Sequence, residues 1–131
     1  MKVWKAMSSN FDYIVQQLQA KNPNVTAVAI LTLDGQVMYQ TDNWNVVPDA
    51  PNLISAWREK QPAILVQGIK YSTLSATDER LVATNVSGMG HIIMATARYR
   101  ALLMAYVTPQ GDTQGSYVDV SRAAAQLGAM L

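Results

Sequence analysis

The side chains that could perform catalysis or bind a metal are few, and they are scattered along the chain. The sequence has one histidine, His91, and no cysteine, and His91 follows the turn Gly88-Met89-Gly90 with no second histidine or carboxylate at ligand spacing. A zinc site needs three or four ligands, and a serine triad needs a base beside its nucleophile. We therefore predict no catalytic residue, no metal site and no cofactor, so that the protein is not an enzyme. We interpret His91 as a half-buried structural residue.

The glycines of the chain do not form a phosphate-binding loop. Neither GxxxxGK[ST] nor GxGxxG occurs at the junction of a strand with a helix. Asp34-Gly35 separates two strand-like stretches, residues 25–33 and 37–41, and this pattern predicts a hairpin with a two-residue turn of type I′. The chain itself is therefore not expected to bind nucleotide.

Large aromatic and basic residues point instead to protein binding. Tryptophan and arginine contribute much of the affinity at protein interfaces, because they bury a large area while keeping a polar group. Trp57 and Arg58 lie on a predicted helix, and Trp44 lies in the polar loop 42–50. Each tryptophan has an alternative role, since Trp57 could pack on the sheet and Trp44 could fold back over the helix.

Two further segments could contact a partner. Lys70 and Tyr71 lie on a strand that could form the edge of the sheet, and an open edge invites strand pairing. Met89, between two glycines at a predicted hairpin tip, is a candidate contact with a partner.

Composition excludes several classes of partner. The 131 residues are predicted to form one domain, residues 1–131. Net charge is +1, from 10 basic and 9 acidic residues without a basic cluster, so nucleic acid is not an expected partner. The longest apolar runs are too short to cross a bilayer, and no apolar run follows the N-terminus as in a signal peptide. With the absence of cysteine, these features lead us to expect a cytoplasmic protein without membrane insertion.

The hydrophobic periodicity predicts the order helix, hairpin, helix, strands, helix. The first helix should begin at Ser9 and end before Pro23, and the second should be capped by Asp49. Residues 64–107 read as antiparallel strands, and Ser116 should begin the last helix. The sequence therefore predicts an α+β fold with a central antiparallel sheet of five to six strands, in the order α-β-β-α-β-β-β-α.

This order resembles the roadblock / dynein light chain family of the profilin-like fold, including its prokaryotic members. The resemblance lies in four segments: VTAVAILTLDGQVMYQ (residues 25–40), PNLISAWREK (51–60), GIKYSTLSATDERLVATNV (68–86) and RALLMAYVTPQG (100–111). The family has five strands whereas this chain shows six apolar runs, so residues 86–100 read either as an additional hairpin or as a miscount.

The resemblance implies a dimeric scaffold that binds a Ras-like small GTPase. Its dimer, with itself or with a related roadblock chain, would form through the second helix and the adjacent strand. The implied interface comprises Leu53, Ile54, Trp57, Arg58, Lys70, Tyr71 and Ser72, with Trp44 and Met89 as contacts for a further partner. Two alternatives remain open: a small-ligand sensor of profilin-like or PAS-like type, and a longin- or profilin-like adaptor that does not form a homodimer.

Overall fold

The computed structural model of the chain is an antiparallel sheet with helices on both faces. It describes residues 3–131, with side chains from Asn10 onward, so residues 1 and 2 of the predicted domain lie outside the described residues. The elements in chain order are α1 (Val3–Lys21), β1 (Val25–Leu31), β2 (Val37–Gln40), α2 (Ala50–Arg58), β3 (Ala63–Val66), β4 (Ile69–Ala76), β5 (Arg80–Thr84), β6 (His91–Thr96), β7 (Leu102–Val107) and α3 (Thr113–Met130).

The sheet has seven strands in the order β2-β1-β7-β6-β5-β4-β3, and every neighbouring pair is antiparallel. The predicted α+β class with an antiparallel sheet is therefore confirmed, whereas the prediction of five to six strands is wrong. The missed strand is β3, which Gln67 and Gly68 separate from β4 with φ values of 52° and 80°. Residues 86–100 are no additional hairpin, because β6 pairs with β5 and β7 inside the sheet.

Two hydrophobic cores lie on opposite faces of the sheet. Alternation along β1 sends Val28 and Ile30 to one face and Ala29 and Leu31 to the other, as a central strand covered on both sides requires. α1 and α3 close the first core, and α2 closes the second. The residues at helical spacing along one side of α1 are buried in the first core, and they are Phe11, Ile14, Val15 and Leu18.

The β1–β2 hairpin is confirmed, although its turn is not of type I′. That turn needs positive φ at both central residues. Gly35 has φ +91°, but Asp34 does not belong to the non-glycine residues with positive φ in the described part of the chain. Thr32 holds the turn instead, because its carbonyl oxygen accepts from the Gly35 N–H at 3.2 Å and its hydroxyl oxygen accepts from the Gln36 N–H at 2.9 Å.

The first residues of α1 and α3 differ from the sequence expectation, and so does the capping of α2. α1 begins at Val3, and Ser9 lies within it. Asp49 precedes α2 as predicted, but its carboxylate accepts from the backbone N–H of Gln67 at 3.0 Å and does not cap the helix. α3 is capped by Asp112, which directly precedes the first helical residue, Thr113, and lies four residues before Ser116. The predicted start at Ser116 is wrong because Asp112, in the preceding loop, accepts from the N–H groups of Gln114 and Gly115 and so caps the helix earlier in the chain.

Candidate protein-binding face

The helices leave one part of the sheet uncovered. α1 packs against β1 and β2, and α3 packs mainly against β6 and β7, so they leave most of their side of β3, β4 and β5 uncovered, although Val82 of β5 is only 8% exposed. We call this surface the open face. Its residues are Leu65, Lys70, Ser72, Leu74, Ser75, Arg80 and Val82, and Tyr117 of α3 borders it.

Strand alternation and one bulge place these side chains together. Tyr71 points into the α2 core and is 3% exposed, and alternation therefore puts Lys70 and Ser72 on the opposite side. The pairing of β4 with β5 shifts register between Thr73 and Ser75. A bulge re-aims the side chains of the strand that carries it, so Leu74 and Ser75 both reach the open face.

A groove of about 400 Å³ runs between the open face and the first turns of α3. Leu74 and Val82 supply apolar walls, with Leu74 59% exposed. The Arg80 guanidinium carbon lies 5.0 Å from the centroid of the Tyr117 ring, and Arg80 Nε donates to the Ser75 hydroxyl oxygen at 3.3 Å. These contacts fix the guanidinium in place while most of its five N–H donors remain for a partner.

His91 lies beside the open face as a half-buried residue, as the sequence indicates. Its Nδ1 is 2.8 Å from the hydroxyl oxygen of Thr84, which is its cross-strand neighbour. Among the described residues, no group of three histidine, aspartate or glutamate side chains could hold a metal ion.

Three residues of the predicted interface are part of the protein's own core. Leu53, Ile54 and Trp57 of α2 are 1%, 6% and 6% exposed, and they belong to the core between α2 and the sheet. The indole nitrogen of Trp57 donates to the carbonyl oxygen of Thr77 at 2.6 Å. Arg58 is exposed, and its Nη2 donates to the carbonyl oxygen of Leu33 at 3.1 Å. The packing role that we left open for Trp57 is thus the one that the structure supports, and contact of these residues with another chain stays a prediction.

The remaining predicted contacts are dispersed. Trp44 is only 7% exposed and folds over the α2 core. β4 is not the sheet edge, because β3 pairs with its outer side. Lys70 and Ser72 do lie on the open face, whereas burial, with a smaller effect of Tyr106, raises the pKa of the Tyr71 hydroxyl inside the core. Met89 is 50% exposed at the tip between β5 and β6.

Sequence reasoning missed six residues of the open face and its border, and one of them, Val82 of β5, is only 8% exposed. Leu65 lies on the unrecognised strand β3, and Leu74 and Ser75 lie at a bulge that alternation alone does not reveal. Arg80 and Tyr117 meet only in the folded chain, because they belong to β5 and α3.

A second groove, of about 420 Å³, lies at the other face beside α2. Several polar groups at its rim already have partners within the protein. Trp57 donates to Thr77, and Lys60 Nζ lies 3.5 Å from the carboxylate of Asp78. Orienting a bound small molecule requires polar groups that converge on it, so the groove gives little support to a ligand sensor.

Fold and surface together define a small α+β domain whose sheet has one face only partly covered by helices. A sequence model of the family described as Profilin matches residues 8–130, and the chain therefore belongs to the profilin family. In the described part of the chain, no helix combines the length and hydropathy that a membrane span requires.

Individual profilins resemble the chain over most of its length. Odin profilin from Odinarchaeota yellowstonii (strain LCB_4) is 39% identical over 108 residues, which cover 82% of this chain and 89% of that protein. Thor profilin from Thorarchaeota archaeon (strain AB_25) is 34% identical over 118 residues, covering 88% and 92% of the two chains. The profilin in the LokiProfilin2/rabbit actin complex superposes with a TM-score of 0.86 at 30% identity, covering 93% of this chain and 98% of that one.

These findings overturn the roadblock assignment. The order of hairpin, helix and antiparallel strands occurs in both families and does not distinguish them, so the resemblance led to the wrong family. The predicted function as a scaffold for a Ras-like small GTPase is wrong with it, as are the homodimer and the related roadblock chain as partners, because the chain belongs to the profilin family and two of the profilins that it resembles, Loki profilin-2 and Loki profilin-1, form complexes with rabbit actin. The family assignment is consistent with a protein that is not an enzyme.

Proposed function

We propose that this protein binds monomeric actin through the open face and acts without a catalytic step. One observation carries the proposal: the profilins of two complexes with rabbit actin match this chain closely. The Loki profilin-2 complex gives a TM-score of 0.86 at 30% identity, and the Loki profilin-1 complex gives 0.88 at 28% identity. Each comparison covers at least 93% of this chain. An actin-binding role would place the protein in the cytoplasm.

The composition of the open face supports its choice as the binding surface. Leu65 and Leu74 are 60% and 59% exposed on the neighbouring strands β3 and β4, with Leu65 directly opposite Lys70 and Leu74 four residues further along β4. Lys70 and Arg80 add positive charge around them. Exposed apolar side chains next to polar and charged ones are typical of a surface that binds another protein.

Preorganisation also supports the open face. Arg80 is held between Tyr117 and Ser75, so little side-chain freedom is lost when a partner contacts it. Arginine and tyrosine are among the residues whose truncation most weakens protein complexes.

The test is a titration of labelled monomeric rabbit actin with the wild type, Arg80→Ala and Leu74→Asp. We expect each substitution to weaken binding at least tenfold, a loss of about 1.4 kcal/mol. Arg58→Ala is the matched control, because Arg58 is also an exposed arginine but lies at the α2 side of the sheet. Absence of wild-type binding would refute the function. Equal weakening by Arg58→Ala and Arg80→Ala would refute the choice of surface.

A further inference from the structure

The tip between β5 and β6 exposes two apolar side chains. Val86 is 83% exposed and Met89 is 50% exposed, within a loop of only six residues between the strands. A single exposed hydrophobic residue needs no explanation. Here two such residues lie within four positions of sequence on one short tip, and the backbone that carries them is held by hydrogen bonds.

That backbone is held by the side chain of Asn85. Its Oδ1 accepts from the N–H groups of Ser87 at 2.9 Å and Met89 at 3.1 Å. The backbone N–H of Asn85 donates to the carbonyl oxygen of Gly90 at 2.9 Å, and its carbonyl oxygen accepts from the N–H of Gly88 at 3.1 Å. The tip is therefore a fixed structure, and little backbone entropy would be lost when a partner covers it.

Tyr106 of β7 supports the tip from below. Its hydroxyl donates to the carbonyl oxygen of Met89 at 2.7 Å. Gly90 packs against the same ring, where an added Cβ would lie 2.5 Å from the tyrosine oxygen, and it has φ +110°. A side chain at position 90 would push the tip away from the sheet, so glycine is required for this arrangement.

The tip adjoins the open face. The side-chain nitrogen of Asn85 donates to the carbonyl oxygen of Lys70 at 2.8 Å, and Lys70 is a residue of the open face. The last residue pair of β4 and β5 before the tip joins Ser72, also on the open face, to Thr84. A partner that covers the Lys70 end of the open face would thus meet the tip as well.

We propose that Val86 and Met89 form a preformed apolar contact for the same actin monomer that binds the open face. This inference rests on the proposed function. It extends the binding surface beyond the sheet to a hairpin tip and assigns affinity to two residues outside it. Apolar area that becomes buried on a rigid support adds to affinity with little loss of conformational freedom.

The test compares the affinity for monomeric rabbit actin of the wild type with that of the double variant Val86→Ser, Met89→Ser. We expect binding to weaken by roughly tenfold. Both side chains are exposed, so the variant should unfold at the wild-type temperature, which circular dichroism checks. Tyr13→Ser is the control, because Tyr13 is 62% exposed on α1, which packs against the other end of the sheet.

Asn85→Ala provides a second variant that keeps both apolar side chains. Loss of its hydrogen bonds should loosen the tip and weaken actin binding severalfold, with faster dissociation. If the double variant binds actin with the affinity of the wild type, the tip is not a contact. The inference then fails while the proposed function stands. If the wild type does not bind actin at all, the proposed function fails and the inference with it.

Discussion

The indole nitrogen of Trp57 donates a 2.6 Å hydrogen bond to the carbonyl oxygen of Thr77, and this bond ties α2 to the turn between β4 and β5. Trp57 is 6% exposed and packs with Leu53 in the core beneath α2. A residue type that favours protein interfaces is here used for the fold itself. The same property serves both purposes, because tryptophan buries a large area and still satisfies one polar group.

We expect Trp57→Ala to lower the free energy of unfolding by about 3–5 kcal/mol, because it removes a large buried side chain. Trp57→Phe keeps an aromatic ring but leaves the Thr77 carbonyl without its donor, and should cost about 1–2 kcal/mol. Urea unfolding followed by circular dichroism measures both values. Arg58→Ala, on the exposed side of the same helix, should change stability by no more than about 0.5 kcal/mol. Equal effects of the alanine variants at 57 and 58 would contradict the packing role of Trp57.

The mass in solution tests whether α2 lies in the core or at a dimer interface. Since Leu53, Ile54 and Trp57 are already buried within one chain, we expect light scattering to give the mass of a single chain, 14.3 kDa. A mass of twice this value at micromolar concentration would contradict the expectation. In that case the double variant Trp57→Ala, Arg58→Glu would show whether α2 forms the contact.

Much of the fold can be predicted from the sequence because its signals are local. The stripe Phe11, Ile14, Val15 and Leu18 gives α1, and the run 25–33 with Asp34-Gly35 gives the first hairpin. β3 escaped prediction because it has four residues and because the turn after it contains Gln67, a residue not usually associated with positive φ. In the sequence, β3 and the longer strand β4 therefore look like one continuous strand.

The open face could be predicted only in part. The sequence indicates Lys70 as a residue of an edge strand, whereas β3 in fact pairs with the outer side of that strand, and Ser72 enters only through the interface that the roadblock resemblance implies. Leu74 and Ser75 reach the same face through a bulge, and Arg80 meets Tyr117 across 37 positions of sequence that only the fold brings together. Such a surface depends on register and helix placement, and neither is a local property of the chain.

Gly35 gives a sharp test of how the first hairpin packs on α2. An added Cβ would lie 2.9 Å from the Cα of Pro51, and the residue has φ +91°. We expect Gly35→Ala to lower the free energy of unfolding by about 1–3 kcal/mol, because both the backbone conformation and the close approach oppose a side chain. Gly68→Ala is the control, since Gly68 also has positive φ but no atom lies within 4 Å of its added Cβ. The difference between the losses in free energy of unfolding of the two variants measures the clash with Pro51. Equal losses would contradict the close packing of Gly35 on α2.

The side chain of Asp112 should stabilise the first turn of α3, whereas the sequence predicts that this helix begins at Ser116. Its carboxylate accepts from the N–H groups of Gln114 at 3.3 Å and Gly115 at 2.8 Å. We expect Asp112→Ala to cost about 1 kcal/mol of stability in urea unfolding, whereas Asp112→Asn should cost less because an amide oxygen can still cap the helix.

Asp49→Ala is the comparison at α2, where the carboxylate binds Gln67 and not the helix start. Deuterium exchange separates the two cases: the first turn of α3 should exchange faster in Asp112→Ala, and the turn at Gln67 should exchange faster in Asp49→Ala. Unchanged exchange at Gln114 and Gly115 in the Asp112→Ala variant would show that the cap does not hold α3.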